Sequence, residues 1–319
     1  MAQPTVTVAF LSWNRLHYLR ATLESARRCM RGTEIEWIVS DNASEEAGLA
    51  EYLSSCDWVT HRWSKKQTHA AAMNEVVASA AGRYVLIWPD DMQFVVEGDW
   101  LPRLVETLDR NPEIGSVGLN FLRRKTIRRL FGPFGAGDVV PLLADLRRVR
   151  LRRSRRIAGP EPLHTAGWRR PGVVASGIPS LTRTEYWRAL GPWRTAKESK
   201  LIDSSLGAED LMIERFQSSG RSWQQAAMVR PVAADIINDD TGCKAKVRGG
   251  KRYGIYTPPA EGGFYYEIMS EGDMPASDNG LPLCFEDYVR PRGFRLPLDG
   301  RGDLLKASIN ESVISTVTV

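Results

Sequence analysis

Five consecutive apolar residues, Tyr84-Val85-Leu86-Ile87-Trp88, end abruptly in Pro89-Asp90-Asp91, and this stretch constrains the fold more than any other. A strand that is apolar in every position is one buried on both faces, and such strands belong to parallel sheets covered by helices. The flanking sequence has the matching rhythm. Val6-Thr7-Val8-Ala9-Phe10 alternates as a strand, and Leu16, Leu19, Leu23 and Ala26 then fall on one helical face. Glu36-Trp37-Ile38-Val39 reads as a second strand and Trp58 to Trp63 as a third. A helix is expected from His69 to Ala81, with Ala70, Met73, Val77 and Ala80 on one side and Gly82 as its stop. Leu101 to Leu108 reads as another helix and Gly115 to Phe121 as another strand. Strands alternating with helices imply right-handed crossovers, an α/β fold and a mostly parallel sheet flanked by helices. Ligands of such sheets bind beyond the carboxyl ends of the strands. That rule selects Ser12-Trp13-Asn14, Asp41-Asn42 and Pro89-Asp90-Asp91, each directly after a strand.

At 319 residues, 43% hydrophobic and 25% charged, the chain has the composition of a globular protein with a sizeable core. No run approaches the roughly 18 apolar residues of a spanning helix. The opening Met1-Ala2-Gln3-Pro4-Thr5 lacks the basic and apolar regions of a signal peptide. The four cysteines have no metal-ligand spacing and read as reduced thiols. These features together predict a cytoplasmic protein.

Charge is distributed unevenly. Between Arg123 and Arg170 stand 14 Lys or Arg against three acids, an excess of 11 positive charges in a chain whose net charge is +5. The organisation expected is a donor-binding half over 1–122, a basic insertion over 123–171, an acceptor-side and catalytic half over 172–240, and an irregular C-terminal extension over 241–319. In the second half Thr184 is expected to cap a short helix through Leu190, and Ala208 to Ser219 to form another helix stopped by Gly220. Within the insertion, Leu142, Leu146, Val149 and Ile157 approximate one face of a helix otherwise crowded with arginines. A basic amphipathic helix suits a peripheral contact with an anionic membrane, at the cytoplasmic face here, although a solvated loop has the same composition. Phe and Tyr are nearly absent from the segment, which leaves base stacking unsupported, so no nucleic-acid partner is expected.

Three acidic sites carry the chemistry. Adjacent carboxylates such as Asp90-Asp91 repel each other unless a cation or hydrogen-bond donors offset them. Mg²⁺ or Mn²⁺ takes one or two protein carboxylates and completes its shell with phosphate oxygens and water. A solvated loop, or a cap for the helix near Asp99, would also use such a pair. Asp41, in Ser40-Asp41-Asn42-Ala43-Ser44, suits either a nucleoside contact or an Asx-turn. Glu209-Asp210, opening the amphipathic stretch Leu211 to Phe216, fits a catalytic base on a rigid helix start or simple complementation of the helix dipole.

Taken in order and spacing, these motifs resemble the family 2 inverting glycosyltransferases of the GT-A fold. The resemblance covers about residues 5–122 and 172–240. It rests on Val8 to Arg15, Ser40 to Ser44, Ala72-Met73-Asn74-Glu75, Ala81-Gly82-Arg83-Tyr84, Trp88-Pro89-Asp90-Asp91 and Gly207-Ala208-Glu209-Asp210, with Ser176 to Arg183 and Leu190-Gly191-Pro192-Trp193 similar to the acceptor-side segment. It implies a Rossmann-like sheet and a nucleoside-diphosphate sugar as donor, a UDP-sugar being expected. A hydroxyl of a glycan or lipid-linked acceptor would receive the sugar. On the donor side it implies Ser12, Asn14, Asp41, Asn42, Asn74 and Asp90, with Asp41 on the nucleobase and Asp90 facing ribose or sugar. It implies Asp91, with Asp90, as Mn²⁺ or Mg²⁺ ligands, Asp210 as base, and Glu209 holding a hydroxyl. The chain departs from the family pattern twice. Pro89 stands where the first acid of an Asp-x-Asp triplet would be, and no histidine follows His164 to complete the metal site. Asp239 or Asn238 is then the stand-in ligand, or water. A non-catalytic nucleotide-sugar or glycan-binding module of the same fold is the rival reading. A sugar-phosphate nucleotidyltransferase is set aside, because Leu11 to Arg15 contains no glycine for a phosphate loop.

Overall fold

A computed structural model describes residues 3–122, 156–165, 179–193, 215, 223–235, 264–265, 268–270 and 294–295. Its core is one mixed sheet between two layers of helix. The strands up to residue 235 are β1 (Val6–Ser12), β2 (Ile35–Asp41), β3 (His61–Ser64), β4 (Tyr84–Pro89), β5 (Met92–Phe94), β6 (Val96–Glu97), β7 (Ile114–Leu122), β8 (Arg156–Ile157), β9 (Leu163–Thr165), β10 (Ser180–Arg183) and β11 (Gln224–Asp235), and all but β6, which pairs with Met269–Ser270, join this sheet. The helices are α1 (Leu16–Cys29), α2 (Leu49–Ser55), α3 (His69–Ser79), α4 (Trp100–Arg110) and α5 (Thr184–Leu190). Spatial order is β3-β2-β1-β4-β10-β7-β11-β9-β8, with β5 also against β11.

Period-two alternation sorts the side chains. Val6, Val8, Phe10, Leu86 and Trp88 pack on one face with Leu19 and Leu23 of α1 and Leu101, Leu104 and Leu108 of α4. Ala9, Leu11, Val85 and Ile87 face the other way, against Ala70, Met73 and Val77 of α3 and Tyr186, Trp187 and Leu190 of α5. Strand β4 is therefore apolar throughout because both of its faces are covered.

The first four neighbours, β3-β2-β1-β4, are parallel as expected. Beyond them the sheet is mixed, which corrects the mostly parallel expectation. Strand β10 runs antiparallel to both β4 and β7. Strand β11 is parallel to β7 but antiparallel to β5 and β9. Strand β11 has no local signal. Its Ala-rich run lacks alternation, and Pro231 sits within it at a register shift, where the missing N–H is tolerated.

Two further expectations change. Thr184 does not cap α5; its hydroxyl donates to Gly82 O at 2.6 Å, and Arg183 occupies the cap position. Inside the expected insertion, residues 156–165 carry the β8–β9 pair that extends the sheet. Glu161, fully buried, accepts from Arg103 at 3.1 Å and ties the pair to α4. The basic helix expected over Leu142 to Ile157 lies outside the described residues up to 155, and Arg156–Ile157 is strand. Among the described residues no helix is long and apolar enough to cross a membrane.

Candidate active site

Parallel register gathers the polar strand ends. Ser12 stands beside Asp41, and Asp41 beside Ser64, while Leu11 is flanked by Ser40 and Pro89. The carboxyl ends of β1, β2 and β4 thus form one edge that carries Ser12, Asn14, Asp41, Asn42, Asp90 and Asp91.

The acid pair is held in a tight turn between β4 and β5. The indole N–H of the fully buried Trp88 donates to Met92 O at 2.9 Å across the turn, and the ring stacks on Phe94 with centroids 4.3 Å apart. Thr22 Oγ1 of α1 donates to Asp90 O at 2.9 Å, and Ser25 Oγ accepts from Phe94 N at 3.0 Å. An acid pair with its backbone fixed on both sides is pre-organised, with little entropy left to lose on binding.

Arg15 is the residue that reading the sequence missed. Its Nε donates to Asp90 Oδ2 at 3.2 Å, its Nη2 bonds Asp90 Oδ1, and its Nη1 donates to Asp91 Oδ2 at 2.9 Å. Trp13 N adds a longer donation to Asp90 Oδ2 at 3.4 Å. Asp90 is fully buried, and burial pushes its carboxyl up to about 6; the Arg15 guanidinium pulls it down and the Asp91 charge raises it. One guanidinium set against two carboxylates leaves net negative charge at this edge. The available signal was an arginine three residues past the end of the first strand, in a stretch with no other cation.

Arg15 also takes the N-cap position of α1 without capping it. An arginine side chain has no acceptor for the first-turn N–H groups. Glu46 supplies one from the next loop, accepting from Leu16 N at 2.9 Å. Asn14, at φ 49°, adopts the left-handed conformation that asparagine tolerates. Its Oδ1 accepts from Glu45 N at 2.7 Å, and its own N–H donates to Ser44 Oγ at 2.8 Å.

Asp41 is nearly fully buried and forms an Asx-type turn. It accepts from Ser44 N and Ser64 Oγ, both at 2.9 Å, and from the Ser44 hydroxyl. Ala43, at φ 51°, takes the strained position of that turn. Asn42 N donates to Ser12 O at 2.9 Å, and its Oδ1 accepts from Gln67 N at 2.7 Å. Lys66 lies over the half-buried Trp13 ring, 4.9 Å from its centroid. Ser12 Oγ is buried and has no hydrogen-bond partner, which marks a hydroxyl waiting for one.

Asn74 is not part of this edge. It lies on α3, where its Nδ2 donates to Trp193 O at 2.9 Å and its Oδ1 accepts from Trp193 N at 2.7 Å, clasping α3 to the segment after α5. Glu209, Asp210, Asn238 and Asp239 lie outside the described residues.

Among the described residues no three His, Cys, Asp or Glu are gathered as a metal cage. A divalent ion bound together with a diphosphate does not need one. The excess negative charge at Asp90-Asp91 and the unpartnered Ser12 hydroxyl fit such an ion and its phosphate ligands. Asp91 would be the carboxylate to hold it, being the less buried of the pair at 8% exposure against 0% for Asp90.

Residues 7–156 match the family described as Glycosyl transferase family 2. The uncharacterized protein y4gI of Sinorhizobium fredii is 33% identical over 121 residues, covering 36% of this chain and 13% of that protein. The crystal structure of S. aureus TarS is similar with a TM-score of 0.45 at 16% identity, over 73% of this chain and 37% of that one. The chain thus spans well under half the length of either. The family match falls on the part of the chain that builds β1, β2 and β4 and the acid-bearing edge between them, within a mixed α/β sheet flanked by helices as in the GT-A fold. The family model thus matches residues 7–156, just under half of the chain, and it is to glycosyl transferase family 2 that this region is similar.

Proposed function

We propose that the protein transfers a sugar from a nucleoside-diphosphate sugar, a UDP-sugar, to a hydroxyl of a glycan or lipid-linked acceptor, with inversion at the anomeric carbon. The observation that supports this reading is the edge at β1, β2 and β4. It sets a carboxylate pair with net negative charge beside an unpartnered buried hydroxyl, beyond the carboxyl ends of parallel strands. In this reading Asp41 faces the nucleobase from a turn that its own carboxylate fixes. Ser12 gives its hydroxyl to the donor, and Asp91 holds Mn²⁺ or Mg²⁺. When bound, the cation offsets charge on the departing diphosphate. Asp210 takes the proton of the attacking hydroxyl, Glu209 positions a hydroxyl, and Asp239 completes the metal shell.

The test is a thermal-shift panel of UDP-, GDP-, CDP- and dTDP-sugars with and without Mn²⁺. One donor is expected to raise the midpoint in a metal-dependent way, because a ligand bound to the native state stabilises it. Asp91→Ala should lose the metal-dependent part of that shift, measured against its own ligand-free midpoint, which the loss of the Arg15 contact lowers. No response to any donor would overturn the reading. A donor that binds without ever being hydrolysed or transferred would favour the non-catalytic binding module.

The basic segment 123–170 is proposed as a peripheral contact for anionic membrane near a lipid-linked acceptor, because each cation near such a surface contributes about 1 kcal/mol. Co-sedimentation with anionic liposomes is expected, fading with salt and lost when Arg147, Arg148, Arg152 and Arg153 become Ser. Equal sedimentation with neutral liposomes would refute it.

A further inference from the structure

The cation position beside the acid pair is already filled from within the chain. Arg15 spans both acids, with two contacts to Asp90 and one of 2.9 Å to Asp91 Oδ2. Its side chain is 13% exposed, so it is part-buried and still reachable from solvent. A divalent ion placed on Asp91 would meet this fixed positive charge at close range, and like charges in a part-buried site repel strongly. A diphosphate has the opposite relation to Arg15, because a guanidinium matches paired phosphate oxygens through two parallel N–H donors.

We infer that Arg15 orders ligand binding: it excludes the divalent cation from Asp91 in the donor-free protein and yields that carboxylate only when a nucleoside diphosphate draws the guanidinium away. The inference rests on the donor-site reading above and adds a sequence of events to it. Nucleotide binds first, through Arg15, and the metal second, through Asp91 and the phosphates. Arg15 is thus both a donor-contacting residue and the positioning residue of the metal site. Trp13 N still holds Asp90 when the guanidinium leaves, so the turn keeps one donor on its buried carboxylate.

Calorimetry on the full chain tests this with MnCl₂ alone, with UDP, GDP, CDP and dTDP alone, and with MnCl₂ after the nucleotide that binds. Wild type should bind Mn²⁺ at least about tenfold more tightly once nucleotide is present. Arg15→Ala should bind Mn²⁺ without nucleotide at least about tenfold more tightly than wild type, corresponding to about 1.4 kcal/mol, and should bind nucleotide more weakly. Adding Asp91→Ala to that variant should remove the gained metal site. Should Arg15→Ala fail to fold, Arg15→Gln keeps a hydrogen-bonding side chain without the charge and carries the same expectation. A gain of metal binding is a result that a merely structural role would not produce. Wild type that binds Mn²⁺ equally well with and without nucleotide would overturn the inference, as would Mn²⁺ affinity unchanged in the neutral variants. If none of the nucleotides binds any variant, the donor reading fails, while the comparison in MnCl₂ alone still decides whether Arg15 guards Asp91.

Discussion

Asp210→Asn is expected to lower kcat by about 10²–10⁴-fold, the usual worth of general-base help, with donor affinity unchanged. The expectation rests on a division of labour along the chain. The donor edge is built by the ends of β1, β2 and β4, all within the first 91 residues. Asp210 belongs to the later segment, where Gly207-Ala208-Glu209-Asp210 opens an amphipathic stretch. A base that acts on the acceptor oxygen contributes only in the transition state, so its loss appears in kcat and not in donor binding. Asparagine keeps the size of aspartate and removes only the proton-accepting charge. Initial rates at saturating donor, together with a calorimetric donor Kd, measure both halves of the claim. Glu209→Gln should be the milder change. The opposite order, with Glu209→Gln inactive and Asp210→Asn active, would place the base one residue earlier.

The first half of the fold was legible because its signals are local. Strand β4 announces itself by apolar residues in every position, and α1 by the spacing of Leu16, Leu19 and Leu23. Strand ends are equally local, so Ser12, Asp41, Asp90 and Asp91 could be placed at one edge from topology alone. What stayed hidden depends on partners distant in the chain. Strand β11 exists because β7, β5 and β9 supply its ladder, and nothing in Gln225-Ala226-Ala227-Met228 announces a strand on its own. Asn74 looked like a donor ligand within a family-like motif, yet its amide is engaged by the backbone of a residue 119 positions away. Arg15 was hidden for the same reason. Its carboxylate partners lie 75 and 76 positions downstream, and only the fold brings them within hydrogen-bonding distance. Arg15 itself reads as an unremarkable surface cation before a helix.

Gly82→Ala is expected to destabilise the protein by about 3 kcal/mol, at the upper end of overpacking costs, without altering the donor site. The glycine passes directly against the central strand. A Cβ there would lie 2.5 Å from Thr7 N and 2.7 Å from Val6 C, backbone atoms of β1 that cannot move without disturbing the sheet. The segment cannot simply back away either, since three bonds hold it. Gly82 N donates to Thr7 Oγ1 at 2.9 Å, Thr184 Oγ1 donates to Gly82 O at 2.6 Å, and Ala81 N donates to the buried Glu36 carboxylate at 2.9 Å. Relieving the clash therefore breaks hydrogen bonds among β1, β2 and α5 together. For a protein of 319 residues the midpoint should fall by roughly 4–5 °C, on a scale of about 1.5 °C per kcal/mol. Gly82 lies at the amino end of β4, whereas Asp90 and Asp91 follow its carboxyl end, so the two are separated by the length of the strand. Donor affinity measured well below the midpoint should then match wild type. A midpoint within a degree of wild type would mean that the close approach of Gly82 to β1 is not what holds the α3–β4 turn in place, and that the Glu36 and Thr184 bonds suffice without it.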